Sequence, residues 1–142
     1  MTPIERMLAE FECERLIKRF AVLNDECDYQ KMVQMFAHDG TFARPSAPQD
    51  LICGRDAILA AFEARPVRIS RHFISNVLVD VIDPNHARAL SYVLLFTAEQ
   101  GSPVSAPPYL IGRFNDQLIR VDDQWLFSER LGSVDLKASV NP

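Results

Sequence analysis

Apolar side chains fall at Phe11, Cys13, Leu16, Ile17, Phe20, Leu23 and Cys27, the three- and four-residue spacing of a helix with one buried face. Glu10, Glu14, Arg15 and Lys18 lie off that stripe. Thr2 can cap the start, Pro3 suits the first helical position and Glu5 can close a capping box, so a long helix is expected to run to about Glu26. Asp28 can cap a short second helix carrying Met32, Val33, Met35 and Phe36, which Asp39-Gly40 stops. Residues 41–44 read as a short strand and the Pro- and Ser-containing residues 45–50 as a loop. A third helix is expected over 55–64, with Ile58, Leu59 and Phe62 inward and Pro66 barring its continuation.

Beyond residue 70 the period changes from helical to alternating. Residues 70–82 and 86–98 meet across Asp83-Pro84-Asn85, and residues 109–121 and 124–130 meet across Asp122-Asp123. Helices first and long hairpins after define an α+β domain in which three helices cover one face of a curved, mainly antiparallel sheet. In the strand after Ser70, alternation places His72, Ile74, Asn76 and Leu78 on one face and Phe73, Ser75, Val77 and Val79 on the other. Both faces are largely apolar, so both are expected to be covered. An imidazole and a carboxamide on the helix-covered face need partners or a ligand, which points to a pocket beside His72. Nothing in the chain remains to cover the opposite face, so a homodimer through Phe73, Val77 and Val79 is expected.

The chain has 142 residues, 48% of them hydrophobic, which fits one domain with a sizeable core. Its net charge of −4 comes without any Lys/Arg run, which sets nucleic acid aside. No apolar run approaches the ~20 residues of a membrane span and no signal-peptide pattern opens the chain, so a cytoplasmic protein is expected. Cys13, Cys27 and Cys53 form no C-x-x-C pair. Cys13 and Cys27 lie about 21 Å apart along one helix, beyond the ~7 Å limit for a disulfide, so free, mostly buried thiols are expected.

The order of these elements resembles the nuclear transport factor 2-like superfamily in its SnoaL-like branch. The stretches that carry the resemblance are Phe20-Ala21-Val22-Leu23-Asn24-Asp25-Glu26-Cys27-Asp28-Tyr29, Met35-Phe36-Ala37-His38-Asp39-Gly40-Thr41-Phe42, Arg71-His72-Phe73 and Gln124-Trp125-Leu126-Phe127. The resemblance implies a cone of three helices on a strongly curved mixed sheet across the whole chain. It also implies chemistry of the scytalone-dehydratase type, which places an aspartate near the end of the first helix and a histidine at the start of the central strand. Asp25 and His72 match those positions. The dehydratases' second histidine is missing around Phe96-Thr97, and their tyrosine on the first strand falls near Arg44-Pro45.

A carboxylate bonded to one imidazole nitrogen fixes the tautomer and leaves the other nitrogen to move a proton, with no metal or cofactor required. His72 as acid/base and Asp25 as its orienting partner are therefore the candidate catalytic residues. Asp25 lies about 140° around the helix from Phe20 at 100° per residue, so only a loosened last turn would aim it inward; by periodicity Asn24 is the better-placed pocket residue. Tyr29, Asn76, Tyr92 and Arg113 complete the candidate substrate-binding set, with securing a bulged strand the favoured role for Asn76. Two functions follow. One is a cofactor-independent lyase or isomerase acting on a hydrophobic cyclic or polyketide-like compound. The alternative is a non-catalytic binding or accessory subunit, comparable to the small subunit of ring-hydroxylating dioxygenases.

Overall fold

The computed structural model describes residues 1–138. Its elements are α1 (Pro3–Asp25), α2 (Tyr29–Val33), β1 (Phe36–Ala43), β2 (Ile52–Cys53), α3 (Arg55–Glu63), β3 (Arg68–Asp83), β4 (His86–Glu99), β5 (Ala106–Val121) and β6 (Gln124–Ala138). The strands form one sheet in the order β2-β1-β6-β5-β4-β3. All neighbours are antiparallel except β1 and β6, which run parallel. Three helices on an open, mixed six-stranded sheet are the expected α+β cone. No helix among the described residues is long and apolar enough to cross a membrane.

The start of α1 forms as its sequence dictates: Thr2 and Glu5 close a reciprocal capping box, with Pro3 in the first turn. Asp28 caps α2 through the Lys31 amide. The core is built on an aromatic cluster at the junction of α1, α3, β1 and β6. Phe20 meets Phe36, Phe62 and Phe127 edge-on at 5.8, 6.4 and 5.7 Å, and Phe42 stacks on Phe62 at 5.4 Å. Such pairs each add about 0.5–1.5 kcal/mol beyond the area they bury. Phe11, expected on the buried stripe, is instead exposed, because Ala9 and Cys13 face the sheet and Phe11 lies about 200° around the helix from each.

Several boundaries differ from the sequence reading. The second helix ends at Val33, and residues 36–40 belong to β1, so His38 is an exposed strand residue rather than a helix-terminal one. Glycine at position 40 suits this crowded stretch: a Cβ there would lie 3.0 Å from the Ala37 and Phe127 carbonyl oxygens, which would have to shift by a few tenths of an ångström. Strand β2 is too short to leave a periodic signal, and β6 runs eight residues past Arg130. Of the three free cysteines only Cys13 is buried; Cys27 and Cys53 are exposed, Cys27 because it forms the turn that ends α1.

The largest correction concerns β3. Ser75 pairs with Tyr92 and Leu78 with Leu90, so three steps on β3 are matched by two on β4. The extra residue is accommodated at Asn76, which takes the left-handed conformation with φ 52°. This bulge reverses the alternation beyond it. Val77 and Val79 turn inward against the core, whereas Phe73, Ser75, Asn76 and Leu78 face outward. Val77 and Val79 therefore do not belong to the outer face, and Asn76 does not share a face with His72.

Strand β3 is also an edge of the sheet, and α1 covers it at both ends. Arg6 donates to the Val81 carbonyl at 2.9 Å, and the His72 amide donates to Asp25 Oδ2 at 3.1 Å. Edge groups that would otherwise template aggregation are thereby engaged by the helix.

Candidate functional site

The first helix ends in a pair of nested bonds. Asp28 N–H reaches the Leu23 carbonyl at 2.9 Å and Cys27 N–H reaches the Asn24 carbonyl at 3.1 Å, with Cys27 left-handed at φ 58°. The last turn is thus intact, and Asp25 is still helical. It nevertheless reaches the sheet, because the buried stripe includes Cys13, Ile17, Ala21 and Asn24. Measured from Ile17, Asp25 is only about 80° around the helix, on the flank that runs along β3. No loosening is needed.

There Asp25 accepts three hydrogen bonds. His72 Nδ1 lies 2.5 Å from Oδ1, Ser70 Oγ donates to Oδ1 at 3.0 Å, and the His72 amide supplies the third at Oδ2. The side chains of His72 and Asp25 are 11% and 12% exposed. Burial pushes the Asp25 pKa upward, but the hydrogen bonds from the His72 ring and backbone, the His72 charge and the Ser70 hydroxyl outweigh it and hold the carboxyl below its ordinary value. An ionised carboxylate only accepts, so Nδ1 carries a ring proton, and Nε2 is the nitrogen that presents a lone pair in the neutral imidazole.

His72 borders a partly open cavity of about 130 Å³ lined by α1, β1, α3 and the inner faces of β3 to β6. Its wall is mostly apolar, with Phe20, Phe42, Phe62, Val93, Leu95 and Phe114 prominent. Asn24 lines it as well, buried and accepting from Arg65 at 3.3 Å. Asp25 and Asn24 are therefore both at the site, one beside the histidine and one on the wall.

Other residues grouped with His72 by sequence lie elsewhere. Tyr29 packs on Phe62 at 5.4 Å and stands behind the lining rather than in it. Asn76 faces outward because of the bulge. Tyr92 and Arg113 are on the outer face too, where the Arg113 guanidinium lies 5.7 Å over the Tyr92 ring and donates to both Asp135 oxygens at 3.1 and 3.2 Å.

Sequence reasoning missed two groups. Arg44, Arg65 and Arg68 line the cavity; Arg68 and Ser70 share the alternation of His72, a signal present in the sequence. The second is a buried ion pair, Arg130 and Asp116, facing one another across β5 and β6 at 3.7 Å and both 0% exposed in their side chains. The Arg130 guanidinium is wedged among Phe114, Phe20 and Phe127 at 3.9, 4.5 and 4.6 Å from their ring centres. Burial pushes the Asp116 pKa up to about 6 against the opposing pull of Arg130. The pair stands directly behind Phe20 and Phe114, two walls of the cavity.

The chain belongs to the SnoaL-like domain family, whose match spans residues 5–131. No curated protein sequence matches it. Among solved structures it is similar to a protein described as a candidate scytalone dehydratase from Novosphingobium aromaticivorans, at 20% identity and a TM-score of 0.85 over 99% of this chain and 93% of that one. It is also similar to a hexachlorocyclohexane dehydrochlorinase, LinA type 2, at 12% identity and 0.84 over 99% and 94%. A third similar structure, from Catenulispora acidiphila, is a complex with S-DNPA, at 23% identity and 0.73 over 91% and 95%. At these identities the likeness establishes the fold alone.

Proposed function

We propose that the protein is a cofactor-independent lyase or isomerase that uses His72 as general base and general acid on a small hydrophobic cyclic compound. The observation that supports this reading is the 2.5 Å bond from His72 Nδ1 to Asp25, which leaves Nε2 as the ring nitrogen available to the cavity that His72 borders. Apart from arginines, His72 is the one titratable side chain among the described lining residues, so a single imidazole must both take and return the proton. In a dehydration, Nε2 removes a proton from the carbon next to a carbonyl, the C–H pair becomes the new double bond, and the C–O bond breaks. The imidazolium then protonates the departing oxygen from the same side, releasing water. In an isomerisation the proton returns to carbon instead. Similar structures described as a dehydratase and a dehydrochlorinase support elimination as the reaction type.

The test is proton exchange. Incubated in D2O with a panel of cyclic β-hydroxy ketones, the protein should catalyse loss of the α-proton or elimination, followed by NMR. The His72→Gln variant should be slower by at least about a hundredfold. A variant that turns over like wild type would sink the assignment of His72.

A non-catalytic binding or accessory subunit is the second reading. It is favoured by the absence, among the described lining residues, of any second group that exchanges a proton near neutral pH. Copurification of a stable partner chain, with no exchange on any ketone of the panel, would favour it.

The proposal includes a homodimer through the outer sheet face. That face exposes Phe73 at 58% and Leu78 at 65%, and Phe73, Phe96 and Tyr109 form a continuous aromatic strip with centroid separations of 6.0 and 4.8 Å. An apolar strip of this kind is self-complementary across a two-fold axis.

A further inference from the structure

We propose that the ligand of this cavity is a hydrophobic acid, with one ring enclosed beside His72 and a carboxylate held at the arginine-lined side by Arg44, Arg65 and Arg68. The inference deepens the reading of the cavity as a ligand site and rests on it.

Every charged side chain among the described lining residues is a cation, apart from whatever proton His72 carries. Elsewhere four arginines pair with carboxylates, Arg88 with Asp80, Arg113 with Asp135, Arg120 with Asp123 and Arg130 with Asp116, and Arg6, Arg55 and Arg71 donate to backbone carbonyls. Among the described residues, no carboxylate lies within ion-pair distance of Arg44, Arg65 or Arg68. Three guanidinium groups converge from the end of β1, the segment after α3 and the start of β3. Burial, and then their mutual repulsion, lowers the pKa of both Arg44 and Arg68. Charges of one sign gathered against a low-dielectric wall focus a field that attracts the opposite charge.

Arg44 and Arg65 are held in place by neutral partners, while Arg68 stands exposed at the start of β3. Arg44 donates to the Ala61 carbonyl at 2.5 Å while its Nε is buried without a hydrogen-bond partner. Its guanidinium lies 5.7 Å over the Phe62 ring, and that of Arg65 lies 4.9 Å over the same ring. Arg65 spends a further donor on Asn24. These contacts fix the planar groups and leave N–H donors for a planar anion, the arrangement that a carboxylate engages with two parallel bonds.

Size and spacing define the rest of the ligand. An apolar cavity of roughly 150 Å³ accommodates a benzene ring, so about 130 Å³ holds one ring and little more. Arg68 and His72 lie four residues apart on one strand, roughly 13 Å between Cα atoms at ~3.3 Å per residue, which the long arginine side chain shortens. A carboxylate two or three bonds from the ring spans the remaining gap.

The test compares 3-phenylpropanoate with its neutral isostere 3-phenylpropanamide, titrated into 15N-labelled protein at low ionic strength. Both should shift the amide resonances of His72 and Val93, and the acid should bind about tenfold tighter. Physiological salt should narrow the gap. In Arg68→Gln, at an exposed position, and in Arg44→Gln, the advantage of the acid should shrink toward parity while affinity for the amide is kept. Retained affinity for the amide also demonstrates that the variant is folded. Equal binding of the two probes to wild type, or an advantage that survives in both variants, would overturn the anion site while leaving the cavity a ligand site. Failure of both probes to bind at millimolar concentration would overturn the two readings together.

Discussion

Asp25 and His72 lie 47 positions apart in sequence, yet the aspartate engages both the ring and the backbone amide of the histidine. The two bonds have different consequences. The ring bond sets the tautomer, and the amide bond ties the free edge of the sheet to the end of the first helix. One carboxylate therefore orients the imidazole and anchors the architecture together.

The Asp25→Asn variant separates these roles. A carboxamide can still accept from the edge amide, but it no longer requires the proton to sit on Nδ1. The 15N shifts of the His72 ring should change from a Nδ1–H pattern toward a mixture of tautomers. Any turnover should fall by at least about a hundredfold, with affinity for the neutral amide probe retained. An unchanged ring spectrum would show that Asp25 does not set the tautomer.

Two carboxylates give opposite slopes to stability against pH. Asp25 has a folded pKa below its unfolded value of about 3.9, so its contribution is present above that pH and is lost as pH falls through the folded value. Asp116, raised to about 6, contributes fully below about 3.9 and its contribution is lost as pH rises through 6. Urea midpoints measured from pH 4 to 7 should accordingly decline toward the upper end. The Asp116→Asn variant should flatten that decline, and a decline of undiminished slope would count against Asp116 as its source.

On the outer face, Phe73→Asp should turn a dimer into a monomer in sedimentation velocity, since a specific sheet-to-sheet contact buries about 1,200–2,000 Å² and an unpartnered charge at its centre is costly. Val77→Asp should behave differently. Its side chain points at the core, so the expected result is a loss of several kcal/mol of stability. A dimer that persists in Phe73→Asp would place the interface elsewhere.

The fold was legible because its signals are local or periodic. The Thr2–Glu5 capping box, the Asp28 cap and the double-aspartate turn, with Asp122 and Asp123 both left-handed at φ 49° and 64°, each follow from a few adjacent residues. The proximity of Asp25 to His72 was legible only through family resemblance, because periodicity measured from Phe20 pointed away from it. What failed did so for a physical reason. A bulge adds one residue without changing composition, so strict alternation put Asn76 and Leu78 beside His72 and turned Val77 and Val79 outward. Arg44, Arg65 and Arg68 come from three separate segments, and no spacing rule links them. Arg130 looked like the end of a strand, whereas it lies mid-strand and wholly buried, where an arginine is rarely found unpaired.

The bulge at Asn76 divides β3 into two segments that answer to different constraints. Before it, inward positions serve the cavity; after it, inward positions such as Val77 and Val79 serve packing under the first helix. Because phase is reset between them, deleting Asn76 would remove the extra residue and leave plain alternation, with Val77 and Val79 still inward. Keeping the residue but losing the bulge would instead be a parity error confined to one side: Leu78 and Asp80 would turn inward and Val77 and Val79 outward, while Ser70, His72 and Ile74 kept their orientation. The inward positions of the distal half are thereby set independently of those that border the cavity.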